Sequence, residues 1–373
     1  MSENQKTNEA FKSHPAVYAV AREYQIAVVT NCETLMWARV GEKEYYDESN
    51  GILRSARPLH FISVPMDELN RAGEYTVCYR KVIDRKAYYS ETSDIFEVTY
   101  KFHPVGDGDI KIYHISDAHN KIDSPVSAGL YFGASPDLLV LNGDIRNHSD
   151  EPESLYAIHE IAGRITGGEH PTVFSRGNHD TRGKYAENFA DYTPTNRGVS
   201  YFTFRLGCLW GIVMDCGEDK VDGQVEYGNT ICCHAFRLRE TEFLKQVIAN
   251  AKNEYEADGV SKRMVVCHIP FTYTMHPPFD IEQELYREWT RMVGENIKPD
   301  FYLCGHMHEL GVWYPRGEHD SKGQSCPVIV GGTPVTYDGD EYIGCAIEYG
   351  EKAVDVAFTD KDKNVVDSDK FSI

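Results

Sequence analysis

Five short segments, in fixed order along the chain, carry side chains able to hold cations. They are Asp117-Ala118-His119, Gly143-Asp144, Gly177-Asn178-His179-Asp180, His268 after Val265-Val266-Cys267, and Gly305-His306-Met307-His308. Carboxylate, neutral imidazole and an Asn carbonyl form a borderline-hard donor set. It suits zinc, iron or manganese better than copper, whose sites usually include thiolate or thioether. There are donors enough for two ions, and a carboxylate such as Asp144 can bridge them. Such a pair polarises oxygen anions and makes a shared water acidic enough to attack near neutral pH.

Each segment follows an apolar, strand-like run, at 112–115, 138–141, 172–174, 264–267 and 301–304. In an open α/β sheet, ligands collect outside the carboxyl ends of the strands, where loops converge and backbone groups are free. Residues two apart on an extended chain point the same way. Asp117 and His119 are therefore expected to grip one ion together, and His306 and His308 to serve one each of two adjacent ions. Glycines at 143, 177 and 305 suit turns that bring ligands close without a Cβ clash.

The ordered set DxH, GD, GNHD, an isolated His after an apolar strand, and GHxH resembles the calcineurin-like metallophosphoesterase family over about residues 109–358. The resemblance implies a four-layer αββα sandwich that hydrolyses phosphoesters with two divalent or mixed-valence transition metal ions (Mn, Fe or Zn). It implies that Asp117, His119 and His308 hold the first ion, that Asn178, His268 and His306 hold the second, and that Asp144 bridges them. It also implies a bridging hydroxide as nucleophile. His179 would protonate the leaving oxygen or stabilise charge on the phosphoryl group. Asp180 is expected to orient His179 or to cap a following helix. Arg146 and Arg176 either clamp phosphate oxygens in a bidentate way or make ordinary ion pairs.

Two departures narrow the resemblance. Purple acid phosphatases have Gly at the place of His119 and Tyr at that of Asn147, so no phenolate ligand and no purple ferric centre are expected. Serine/threonine protein phosphatases carry Asp where Asn147 stands, supporting the catalytic His with a charge that Asn147 lacks. Within the same centre, a phosphomonoesterase is the leading expectation, with a phosphodiesterase on cyclic or dinucleotide substrates as the alternative. A non-catalytic scaffold on this fold is the rival of another class, and a glycan-binding role for the N-terminal region is a further one.

The 373 residues allow one or two domains, and 41% hydrophobic content is enough to fill their cores. A net charge of −20 without a Lys/Arg run argues against long nucleic acid; the substrate that the resemblance implies is a small phosphorylated molecule, drawn in by the local positive charge of the two ions against the global field. No run of 18 apolar residues appears, so no membrane association is expected. The polar start at 1–9 lacks a secretion signal, which makes the cytoplasm the expected compartment. The ten cysteines, none in a CxxC pair, are expected to be free thiols there.

Residues 1–14 are expected to be loose. The strand-rich stretch 15–102 is expected to form a small all-β sandwich, similar to the fibronectin- or immunoglobulin-like domains that precede some phosphatases, with turns such as Glu48-Ser49-Asn50-Gly51. A Pro/Gly-punctuated linker at 103–109 then leads into a catalytic domain over 110–373. Helices are expected near 152–165, 240–258 and 281–295. Strands at 328–330, 344–347 and 354–358 are expected to close a second sheet. His114 is expected in the core or behind the ligands. His14, His60, His103, His159, His170, His234 and His319 are expected at the surface. Tyr185, Tyr192, Tyr227 and Tyr273, in long loops near the motifs, either stack on an organic leaving group or pack those loops, the latter being the usual role of aromatic bulk.

Overall fold

Strand alternation separates the layers of the catalytic region. In the computed structural model, which describes residues 8–47, 57–334 and 339–373, Met264, Val266, Phe301 and Leu303 join the apolar cluster shared with the first sheet. Their neighbours Val265, Cys267, Tyr302 and Cys304 join a second cluster with Leu244, Val247, Tyr286 and Trp289 of two helices. Successive side chains on a strand point to opposite faces, so one face of this sheet meets the other sheet and the opposite face meets helices.

Among the described residues the first sheet has ten strands. Its centre is parallel: Ile110–Ile115, Leu138–Asn142 and Pro171–Ser175 lie side by side. All of Leu138–Asn142 is buried, as befits a parallel strand covered on both faces. Helices Asp123–Gly129 and Pro152–Thr166 pack on its outer side. The longer one starts with Pro in its first turn and stops at Gly167 in the left-handed conformation (φ 64°). In the second sheet Leu209–Met214, Lys262–Cys267, Phe301–Cys304 and Val328–Val330 are parallel, with antiparallel strands at both edges. The helices Cys233–Ala249 and Gln283–Met292 form the fourth layer. This is the αββα order.

The N-terminal strands do form two facing layers. Ala16–Val20, Glu23–Val29 and Leu59–Pro65 lie in one, and Lys43–Tyr46, Thr34–Val40, Glu74–Arg85, Ser90–Thr92 and Phe96–Lys101 in the other. Ile26, Val28, Met36, Ala38 and Val77 share one apolar cluster between them. The sandwich is not closed off at 103–109, however. Ala16–Val20 pairs in parallel with Pro171–Ser175, Val17 opposite Pro171, so the first layer continues the catalytic sheet.

Other expectations are corrected. Residues 8–14 are anchored, with Ala10 and Phe11 buried and Phe11 against Tyr79 at 5.2 Å. The turn at 48–51 lies outside the described residues. Tyr342–Tyr349 and Ala353–Asp360 extend the first sheet, because Tyr342–Tyr349 pairs antiparallel with Ile110–Ile115; of the three C-terminal runs only Val328–Val330 joins the second. The helix expected over 240–258 runs from Cys233 to Ala249. The apolar stripe marks its buried face, but its start is set by Asp222, whose carboxylate accepts the amide protons of Cys233 and His234 (3.0 and 3.2 Å). His60 and His159 are buried, paired with Asp47 and Thr34 and with Tyr18 and the Tyr192 carbonyl.

Candidate functional site

All seven expected ligands and His179 stand in loops just beyond strand C-termini. The backbone there is not extended: Asp117, His119, Asp144, His306 and His308 have φ of 54°, 44°, 53°, 69° and 52°. Side chains rarely tolerate this left-handed region, and such strain concentrates at functional sites. The turns are closed by contacts that only glycine allows. A Cβ on Gly177 would run into the Asp144 carboxylate, and one on Gly305 would run into the Ser116 hydroxyl and Asp117 Oδ2.

Asp117, His119 and His308 converge as one cluster, and Asp144, His268 and His306 as another. In each, side-chain atoms able to ligate a cation crowd together. His119 Nε2 lies 3.0 Å from His308 Nε2, which is 3.4 Å from Asp117 Oδ1. That Oδ1 is buried and has no hydrogen-bond partner among the described residues. Its sister oxygen is committed, accepting from the Ser116 hydroxyl (2.5 Å) and the His306 amide (2.9 Å). In the second cluster Asn178 Oδ1 is 2.9 Å from His306 Nδ1, and His268 Nε2 is 3.2 Å from Asp144 Oδ2. Buried lone pairs this close fit a cation between them.

Partners behind the candidate ligands fix their orientation. His268 Nδ1 donates to the Asn142 carbonyl (2.7 Å), leaving Nε2 for the centre. His119 Nδ1 meets Asn147 Oδ1 at 2.7 Å with the same result. Asp144 Oδ1 accepts from the His179 amide (2.8 Å) and Oδ2 points inward. His114 stays in the core, fully buried against Asn142. Burial opposes charge on His268, yet Asp144 and Asp117 outweigh it and push its pKa up to about 10. Burial likewise works against the Asp144 carboxylate, but His268 holds its pKa well below the usual range. The two carboxylates thus create a buried demand for positive charge at this point. Burial and the His268 charge together lower His306 to about 4.

Asp180 is neither a partner of the His179 imidazole nor a cap on a long helix. It is fully buried, and Oδ2 accepts from the amides of Gly177 (2.8 Å) and Asp144 (3.2 Å), clasping two ligand loops together. Burial and Asp144 raise its pKa to about 7. His179 is oriented by the main-chain carbonyl of Asn147 (3.0 Å) and meets Arg182 at Nε2 (3.2 Å). Arg176 is an inter-sheet ion pair with Asp215 (2.8 Å), stacked on Phe236, and does not serve as a phosphate clamp. Arg146 is half-buried, with a buried Nε that has no hydrogen-bond partner among the described residues. Tyr273 packs on Trp313 and His319, while Tyr227 donates to Glu218 and Asp219. Arg182, Glu218 and Asp219 escaped the sequence reading. Their only signal was an acidic pair in the loop after Leu209–Met214.

The calcineurin-like phosphoesterase family model matches residues 110–310, more than half of the chain. The chain belongs to the calcineurin-like phosphoesterase family. It is thereby a phosphoric ester hydrolase. Two solved structures share the fold of this calcineurin-like phosphoesterase. A purple acid phosphatase from yellow lupin (Lupinus luteus) seeds has a TM-score of 0.58 at 12% identity, covering 96% of this chain and 74% of that one. A structure of PhoD has a TM-score of 0.56 at 9% identity, covering 98% and 91%. No curated protein sequence matches the chain.

Proposed function

We propose that the protein is a phosphomonoesterase acting on small phosphorylated molecules through two ions of Mn, Fe or Zn. In this reading Asp117, His119 and His308 hold one ion, Asn178, His268 and His306 hold the other, and Asp144 spans both. The observation that carries it is the 3.0 Å approach of His119 Nε2 to His308 Nε2 beside the buried Asp117 Oδ1, which has no hydrogen-bond partner among the described residues. When bound, the ions supply Lewis acidity toward phosphoryl oxygens and acidify a shared water.

The chain's own residues do the rest. Arg146, two positions past Asp144, offers a half-buried guanidinium to the phosphoryl oxygens. A monoester carries one more ionisable oxygen than a diester, and Arg146 can meet that extra charge. His179 keeps its Nδ1 proton on the Asn147 carbonyl, so Nε2 is the nitrogen that would exchange a proton with the leaving oxygen, in place of its 3.2 Å contact with Arg182. Asp180 holds the Gly177 and Asp144 amides, so His179 and Asp144 keep their spacing.

The overall acidity of the chain supports a small substrate over a polyanion. Its ten free cysteines support a reducing, cytoplasmic setting, and among the described residues no helix is long and apolar enough to cross a membrane. Asp144→Ala or Asn178→Ala should abolish turnover of an aryl phosphate and lower bound metal by elemental analysis. Turnover that survives loss of both ions refutes the mechanism. An aryl monophosphate assayed against its bis-aryl diester tests the monoester preference, and faster diester cleavage overturns it.

A further inference from the structure

The loop after Leu209–Met214 brings two carboxylates to the rim of the second cluster, Glu218 (1% exposed) and Asp219 (5% exposed). Neither belongs to a ligand set. Glu218 takes the Arg182 guanidinium as a fork, with 2.9 Å from Nε and 2.8 Å from the second terminal nitrogen. Asp219 divides its oxygens. Oδ1 receives the Tyr227 hydroxyl (3.1 Å), Arg182 (3.3 Å) and Lys220 (3.3 Å). Oδ2 faces the Asn178 amide nitrogen at 3.3 Å.

A carboxamide has two orientations related by a half turn, and at Asn178 they compete. With nitrogen inward, it would donate to His306 Nδ1 (2.9 Å) and Asp144 Oδ2 (3.3 Å), while the outward oxygen accepted from Arg182 (3.1 Å). That arrangement gives both carboxamide atoms partners in the absence of a cation, but it turns a donor toward the centre. With oxygen inward, Asn178 can ligate a cation beside His306, and its nitrogen then needs an acceptor on the outside. Asp219 Oδ2 is that acceptor, and as a carboxylate oxygen it rejects the amide oxygen.

We propose that Asp219 is a positioning residue that holds the Asn178 carboxamide with its oxygen toward the second ion. The inference rests on the dinuclear reading above. Ligand-orienting partners of this kind are worth about 10–100-fold in metal affinity. Metal-free full-length protein titrated calorimetrically with Zn²⁺ should show two binding events, one of which Asn178→Ala removes. Asp219→Leu should weaken that same event by about 10–100-fold and leave the other unchanged. In Asp219→Asn the oxygen would stay with Arg182, Lys220 and Tyr227 and the nitrogen would face Asn178, so the same event should weaken to a similar degree. Circular dichroism of the metal-free variants checks folding, and Asp219→Ala replaces the Leu variant if that one fails to fold. Unchanged zinc binding in Asp219→Leu overturns the proposal. So does an Asn variant that binds as tightly as the parent protein, since an acceptor at Oδ2 would then not be what orients Asn178. Absence of zinc binding by the parent protein overturns the dinuclear reading instead.

Discussion

Asn147 serves two histidines with two different oxygens. Its side-chain carbonyl meets His119 Nδ1 and its main-chain carbonyl meets His179 Nδ1. Substitution separates them: Asn147→Ala keeps the main-chain oxygen and removes the other. Zinc affinity at the first site should fall about 10–100-fold, and calorimetry showing unchanged affinity contradicts the assignment. His159 gives a prediction away from the centre. Burial lowers its pKa to about 4, with the Tyr192 carbonyl opposing the shift; Tyr18 and Phe61 complete its surroundings. Above the ordinary histidine value of about 6.5 both folded and unfolded chains carry it neutral. As pH falls through 6.5 toward 4 the unfolded chain alone takes up the proton, so stability is lost, by up to about 3 kcal/mol. Urea unfolding at pH 7 and pH 5 should show a smaller drop for His159→Gln than for the parent protein. The two clusters of His and Asp side chains were legible because residue type and short spacing mark atoms suited to metal chemistry. The roles of Asn147, Asp219 and the buried His159 were not, because each depends on an atom delivered by a loop or strand far away in sequence.

At the scale of elements, strand ends could be read from apolar runs that stop at polar motifs, and the structure brings Asp117 and His119 into one cluster. The conformation of those motifs could not be read. Two residues apart on an extended strand share a side, but here both have positive φ, so their convergence comes from a tight loop and not from strand alternation. Gly305 makes that loop possible. Gly305→Ala should push Ser116 and Asp117 aside at a cost of about 1–3 kcal/mol; an unchanged melting temperature and full zinc binding would contradict this. A second device joins the sheets directly. Arg176 follows a first-sheet strand and Asp215 a second-sheet strand, and they pair at 2.8 Å. Asp215→Ala strands a largely buried guanidinium and should cost about 3–5 kcal/mol in denaturant unfolding, whereas Arg176→Met with Asp215→Leu should recover much of the loss. The start of Cys233–Ala249 escaped local reading for the same reason as the residue roles, since its cap, Asp222, comes from outside the helix.

For the whole molecule, the two-layer N-terminal region was legible from short strands and turns, but its attachment was not, because sheet pairing between distant segments leaves no local mark. The parallel pairing of Ala16–Val20 with Pro171–Ser175 makes the N-terminal strands part of the catalytic sheet. A fragment covering 110–373 would uncover the edge of Pro171–Ser175, and bare edges recruit other chains. Such a fragment should elute as aggregates in size exclusion while the full chain does not; a monodisperse, zinc-binding fragment would contradict this.

The same pairing sets a schedule for synthesis. Val17 leaves the ribosome long before Pro171, its partner in register. At about 5–20 residues per second the first strand waits on the order of ten seconds for its neighbour. During that interval the unpaired backbone edge of this apolar strand lies open in the nascent chain, so we expect this stretch to be where a holding chaperone engages the newborn polypeptide.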